Sequence, residues 1–216
     1  MSDTTPSYIV VEGPIGVGKT SLARRLSEAL NGDLLLEAPE ENPFLERFYQ
    51  DPRGAALPTQ LFFLMQRVRQ LAELRQGDIF KPVRVADFLV DKDRLFAQVT
   101  LDDEELSLYE QVYGQLTLDA PKPDLVIYLQ APVDVLVERI HRRGRGYERL
   151  MDSAYLHRLS EAYASFFYHY EDAPLLIVNA SGIDWVNRDE DFQQLLDFMR
   201  GMNAGRHYFN PLPFAM

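Results

Sequence analysis

Short apolar runs recur along the chain at residues 8–12, 33–37, 83–87, 125–130 and 175–179, each bounded by glycine, proline or charged residues. Their near-continuous hydrophobicity is that of strands buried on both faces, as in a parallel sheet. Between them lie longer stretches with helical periodicity. These are 19–30 after the first run, 44–49 and 60–75 after the second, and 95–99 and 106–118 after the third. Residues 133–143 and 154–170 follow the fourth run, and 189–200 the fifth. Such alternation predicts an α/β fold in which helices cover both faces of a parallel sheet. Right-handed crossovers leave few topologies. Ligands of such sheets bind beyond the carboxyl ends of the strands. Three polar features fall at or just after those ends: residues 13–20, Glu37 and Asp87.

Composition narrows the picture. The 216 residues read as one domain, or one domain with a lid, and 46% of them are hydrophobic, enough for a sizeable core. No apolar run reaches the roughly eighteen residues of a transmembrane helix. The first residues, Met-Ser-Asp-Thr-Thr-Pro-Ser, lack the basic and apolar regions of a signal peptide. There is no cysteine, so disulfides, thiolate chemistry and zinc–cysteine sites are excluded. That suits a cytoplasmic chain. The net charge of −11 leaves room only for a local basic patch. Neither nucleic acid nor membrane is expected as a partner.

The first candidate chemistry is Gly13-Pro-Ile-Gly16-Val-Gly18-Lys19-Thr20. It fits G-x-x-x-x-G-K-[ST] and lies between a strand-like run and a helix, the context that the motif requires. In such a loop, backbone N–H groups converge on phosphate oxygens at a helix N-terminus. Lys19 is expected to reach the β- and γ-phosphates, and the Thr20 hydroxyl to ligate Mg²⁺. Ser21 follows as a further contact to the nucleotide. The motif is strong for nucleotide binding and weak for the reaction that follows.

Four downstream features bear on the acceptor. Glu37 ends the second run and faces the same rim as the cradle. It can take a proton from an attacking hydroxyl, and its charge disfavours an acceptor that already carries phosphate. The alternative is a solvated carboxylate beside Glu40 and Glu41. Gln60 and Arg67 share one helical face, where an amide and a guanidinium can read the edge of a heterocyclic base. The alternative is a polar face in water. Asp87 ends the third run and can serve the Mg²⁺ shell, bind the acceptor or simply cap the strand. In 139–145 four arginines fall within seven residues of an acidic chain. Arg139 and Arg143 are one helical turn apart, and Gly144 and Gly146 allow the segment to move as a lid. The alternative is a basic helix end that complements the helix dipole. His141 reads as a surface residue and Trp185 as structural.

Taken together, these blocks resemble the deoxynucleoside kinase family, especially its bacterial deoxyadenosine/deoxyguanosine kinase branch. The matching blocks span nearly the whole chain. They run from the cradle through Leu36-Glu37, Asn42-Pro43-Phe44-Leu45, Phe48-Tyr49, Thr59-Gln60, Ala86-Asp87-Phe88 and Leu95-Phe96-Ala97. They continue through Arg143-Gly-Arg-Gly-Tyr-Glu148 and Tyr155-Leu156 to His207-Tyr-Phe-Asn-Pro211. The resemblance implies a P-loop kinase fold with a five-stranded parallel sheet, an Arg-rich lid at about 139–150, and a homodimer built through helices. Residues 60–75 and 106–118 are the candidate interface. It implies that Glu37 is the general base, that Gln60 and Arg67 read the base, and that Phe96 stacks on it. Tyr49 and Glu148 would contact the sugar 3′-hydroxyl, and Arg139, Arg143 and Arg145 would be the lid arginines. The segment 186–192, with Asp191 and Phe192, would hold the donor's adenine. One block departs. Many members carry an acidic residue, Arg and Ser after the third strand, whereas this chain has Asp87-Phe88-Leu89. Asp87 either matches the acidic residue near Mg²⁺ or replaces the arginine near the nucleoside.

The expected reaction is transfer of the γ-phosphate of ATP, or another triphosphate, to the 5′-hydroxyl of a deoxyribonucleoside: deoxyadenosine or deoxyguanosine on branch resemblance, with deoxycytidine left open because the Gln60 amide can turn to suit adenine, guanine or cytosine. A nucleoside monophosphate kinase and an NTPase without an acceptor are the alternatives.

Overall fold

The computed structural model describes residues 6–74, 83–117, 120–186, 188–202 and 204–211. Its strands are β1 Tyr8–Glu12, β2 Asp33–Leu35, β3 Arg84–Ala86, β4 Leu125–Gln130, β5 Leu175–Asn179 and β6 Arg206–Phe209. They form one sheet in the order β2-β3-β1-β4-β5-β6, with every neighbouring pair parallel. The helices are α1 Lys19–Ala29, α2 Leu45–Gln50, α3 Pro52–Leu74, α4 Lys92–Thr100, α5 Asp103–Leu116, α6 Val133–Arg143, α7 Ser153–Tyr168 and α8 Asp189–Arg200. The expected helix ends at Arg75 and Leu118 lie outside the described residues.

Strand side chains alternate between two cores, as the two-residue period requires. Val10, Tyr128 and Ile177 face one core with Leu64 of α3, Leu95 of α4, Tyr109 of α5 and Tyr163 of α7. Ile9, Val11, Ile127 and Leu176 face the other with Leu22 of α1, Leu136 of α6 and Leu195 of α8. Both faces of β1 and β4 are thus dry, which explains their near-continuous apolar sequence.

The sheet has one strand more than the five expected. Its sixth strand pairs with β5 from Leu175↔Arg206 to Val178↔Phe209. Its sequence, Arg-His-Tyr-Phe, lacks an apolar run because it lies at an edge, with Tyr208 exposed. The Arg206 guanidinium also donates to the carbonyls of Phe167, Tyr168 and Tyr170 and ties this edge to the end of α7.

Three helices, α3, α4 and α5, begin three or more residues earlier than their periodicity suggests, α5 at Asp103 behind a capping box of Asp102 and Glu105. α3 starts at Pro52 and passes through Pro58. That proline cannot donate to Gly54, four residues back. The Gly54 carbonyl instead accepts from Arg47 of α2 at 3.1 Å. α4 starts at Lys92, so Lys92 and Asp93 enter its first turn, and both are buried.

Candidate active site

The loop after β1 has the shape of a phosphate cradle for steric reasons. Gly13 has φ +147°, and a Cβ there would lie 2.4 Å from the Leu129 carbonyl oxygen. At Gly16, φ is +86° and a Cβ would lie 2.9 Å from the Leu136 oxygen. Only glycine fits these positions. The Lys19 ammonium folds back over the loop and donates to Gly13 O at 2.8 Å and Pro14 O at 3.2 Å. Burial and then the Lys92 charge lower its pKa to about 8, although Glu12, Glu37 and Asp87 pull the other way.

A cavity of about 230 Å³ opens beside this loop, with Lys19, Thr20, Glu37, Asp87 and Lys92 on its walls. Gln60, Arg67 and Phe96 line it too, as do Tyr49, Arg143, Arg145 and Glu148. The residues expected to hold an acceptor therefore converge from α2, α3, α4 and the segment after α6. The Glu37 carboxylate pairs with the Arg67 guanidinium and lies 3.4 and 3.5 Å from the Lys92 ammonium. Burial alone would raise the Glu37 pKa. Arg67, then Lys92 and Lys19, outweigh it and bring the carboxyl to about 2. A carboxylate held this firmly is ionised at any working pH and can accept a hydrogen bond from a hydroxyl.

Asp87 joins the two sides. One of its oxygens accepts from the Thr20 hydroxyl at 2.6 Å and the other from the Glu37 backbone N–H at 2.7 Å. Burial, then repulsion by Glu37, raise its pKa, against the hydrogen bonds from Thr20 and Glu37 N–H. Asp87 is thus tied to the cradle threonine as well as to the loop that carries Glu37.

Gln60 and Arg67 lie on the buried face of α3, each about 3% exposed, so the solvated alternative does not hold. The Gln60 amide reaches Thr100 Oγ1 at 3.3 Å. Arg67 is held by two carboxylates, Glu37 and Asp93. Gln66 and Gln70, on the same helix, donate to the carbonyls of Ala38 and Leu36 and brace the Glu37 loop from both sides.

The segment after α6 folds onto the cavity. Gly144 ends the helix at φ +71°. Arg143 bonds Glu148 at 2.5 and 3.1 Å, and Glu148 is buried while Arg143 stays exposed. Arg145 donates to the Tyr147 hydroxyl at 3.0 Å, and the Tyr147 ring stacks on Tyr49 at an interplanar angle of 3°. Arg139 does not share this arrangement. Its guanidinium donates to the carbonyls of Val17, Ala180 and Ser181, bridging the cradle to the loop after β5.

A second cavity, of about 570 Å³, lies on the opposite side of the cradle between α6 and residues 181–186. Gly16 and Arg143 line both cavities, so the cradle forms the wall between them. Ser21 and Trp185 line this second space. Asp191 and Phe192 turn inward instead. Asp191 accepts from the Asp184 N–H at 3.0 Å, and Phe192 packs in the core under the Arg25 guanidinium. Trp185 is buried and its carbonyl accepts from Arg25. His141 is exposed, as its arginine-rich surroundings suggest.

Sequence reasoning passed over Lys92, Asp93 and Glu12. Glu12 is fully buried at the end of β1 and accepts from Gly13 N–H, Leu89 N–H and the Tyr163 hydroxyl. Lys92 and Asp93 lie in the charged run Asp-Lys-Asp-Arg, where composition does not mark a buried residue. The available signal was their place, four and three residues before Phe96, which puts Lys92 on the Phe96 face of the helix.

A family model described as deoxynucleoside kinase matches residues 9–202. The chain belongs to the deoxynucleoside kinase family. It is 34% identical to a deoxyguanosine kinase of Bacillus subtilis (strain 168), over 88% of this chain and 95% of that protein. To a deoxyadenosine kinase of Lactobacillus acidophilus it is 29% identical, over 82% of this chain and 87% of the relative. The solved structure of deoxyadenosine kinase from M. mycoides with bound dATP is similar at a TM-score of 0.78 and 25% identity. That match covers 89% of this chain and 98% of the other. The two cavities flanking one cradle thus belong to a phosphotransferase, and its family acts on deoxynucleosides. Among the described residues no helix is long and apolar enough to cross a membrane.

Proposed function

We propose that this chain transfers the γ-phosphate of ATP to the 5′-hydroxyl of a purine deoxyribonucleoside. The carrying observation is the pairing of an ionised Glu37 with the Lys19–Thr20 cradle on the walls of one cavity. Deoxyguanosine and deoxyadenosine are the preferred acceptors on the strength of the relatives named above. Glu37 takes the 5′-proton as the oxygen attacks phosphorus, and Lys19 holds the phosphate charge. Gln60 reads the base edge and Phe96 stacks on it. Tyr49 and Glu148 hold the sugar. Arg143 and Arg145 close over the phosphates as the lid, 139–150, of a single domain. Arg139, bonded to three backbone carbonyls, sets the position of the donor cavity.

Thr20 and Asp87 form a hydroxyl–carboxylate pair beside the cradle, hard oxygen ligands that suit Mg²⁺. Bound there, the ion would neutralise charge on the transferring phosphate. The Thr20 contact favours the metal side over the nucleoside side for Asp87. The chain works in the cytoplasm, on small-molecule substrates, and as a homodimer.

Glu37→Gln tests the assignment of the base. The amide keeps the shape and loses the proton acceptor, so kcat falls by about 100-fold or more while the deoxynucleoside Kd changes little. Near-normal turnover in the folded variant would remove Glu37 from the chemistry.

A further inference from the structure

Lys92 is buried at the start of α4, and its surroundings are unusual for a structural lysine. An ammonium has three donors and no acceptor capacity. Short charge-assisted bonds of about 2.7–2.9 Å are what normally hold it in a dry site. Lys92 has contacts of 3.4 and 3.5 Å to the two Glu37 oxygens and 3.8 Å to Glu12, with the Phe96 ring centroid 5.5 Å away. The two carboxylates do not need it for hydrogen bonding. Glu12 already accepts from two backbone N–H groups and a tyrosine hydroxyl, and Glu37 pairs with Arg67. A buried charge with only long contacts is costly unless something else completes its shell. The ammonium also lines the acceptor cavity together with Lys19 and Phe96.

We propose that Lys92 is a catalytic residue of the phosphoryl transfer, donating a hydrogen bond to the acceptor's 5′-oxygen. A hydroxyl that gives its proton to Glu37 lies within reach of an ammonium that straddles both Glu37 oxygens. As the reaction proceeds, the 5′-oxygen–phosphorus bond forms and the bond from phosphorus to the β,γ-bridging oxygen breaks. The 5′-proton passes to Glu37 and ADP leaves. Lys92 keeps its own protons throughout and stabilises the negative charge developing on the attacking oxygen. Arg67 cannot serve in its place, because Asp93 and Glu37 already hold its guanidinium. The inference rests on the Glu37 reading.

The test compares Lys92→Met, Lys92→Arg and Glu37→Gln with saturating Mg·ATP and varied deoxyguanosine, each variant checked for folding by thermal melting. Loss of one donor to the developing charge predicts a fall in kcat of about 100-fold in Lys92→Met. The deoxyguanosine KM stays within about threefold, and Lys92→Arg regains at least about tenfold of kcat. A merely charge-balancing lysine predicts a lower melting temperature with kcat within about threefold of wild type, and that result overturns the inference. If Lys92→Met does not fold, Lys92→Gln is held to the same two outcomes: a kcat lower by about 100-fold with KM kept supports the role, and a kcat within about threefold of wild type overturns it. Turnover lost in Glu37→Gln but kept in Lys92→Met rejects Lys92 alone. Turnover kept in Glu37→Gln rejects the proton-acceptor reading itself.

Discussion

Four carboxylates, Glu12, Glu37, Asp87 and Asp93, and three cations, Lys19, Arg67 and Lys92, gather at one end of the sheet. Glu37 is held ionised by Arg67 and Lys92, and Lys19 is weakened by burial and by Lys92. The signs have consequences for pH. The folded Glu37 pKa of about 2 lies below its ordinary value of 4.5, so its stabilising contribution is full above about pH 4.5. That contribution is lost as pH falls from there towards 2. On the alkaline side, Lys19 in the free enzyme loses its proton through about pH 8. The ratio kcat/KM for Mg·ATP, which reports the free enzyme, is therefore expected to fall above that pH. A flat profile to pH 10 would show instead that burial and Lys92 leave Lys19 at its ordinary pKa of 10.5. At this scale the sequence was partly readable. Lys19 and Thr20 belong to one local motif, and Glu37 and Asp87 are marked by strand ends. Beyond the spacing of Lys92 to Phe96, Lys92, Asp93 and Glu12 gain their meaning from Glu37, Arg67, Leu89 and Tyr163, which lie far from them in sequence.

Elements carry these groups to the site, and their periods were mostly legible. β1, β4 and β5 have the bounds that their apolar runs predict, because both faces are buried. β6 escaped notice because an edge strand needs only one dry face. The start of α3 was obscured by Pro58, whose missing bond is compensated from outside the helix by Arg47. α3 and α5 also leave apolar side chains in water, with Met65 at 62%, Leu108 at 49% and Leu116 at 39% exposure. Both helices pack side by side against the acceptor cavity's core, so a second copy covering them would brace Gln60 and Arg67. The proposed homodimer is expected to use this face. In sedimentation the chain should run at twice 24.9 kDa, and Leu108→Glu should convert it to the monomer. A dimer unaffected by Leu108→Glu would move the interface elsewhere.

At the scale of the whole molecule, an acidic chain places its cations where phosphate must pass. Lys19, Arg67, Lys92, Arg143 and Arg145 surround the acceptor cavity, although the net charge is −11. The cradle separates that cavity from the one lined by Trp185, so the proposed donor and acceptor would enter from opposite sides. The reaction class is that of the family, and the fold class was legible because alternating strands and helices admit few arrangements. The identity of the acceptor depends on cavity chemistry assembled from four segments. It is tested most directly by following labelled γ-phosphate from ATP onto the four deoxynucleosides and, separately, their 5′-monophosphates. The account predicts label on deoxyguanosine and deoxyadenosine and none on the monophosphates. Label on the monophosphates alone, or phosphate release that no nucleoside stimulates, would contradict it.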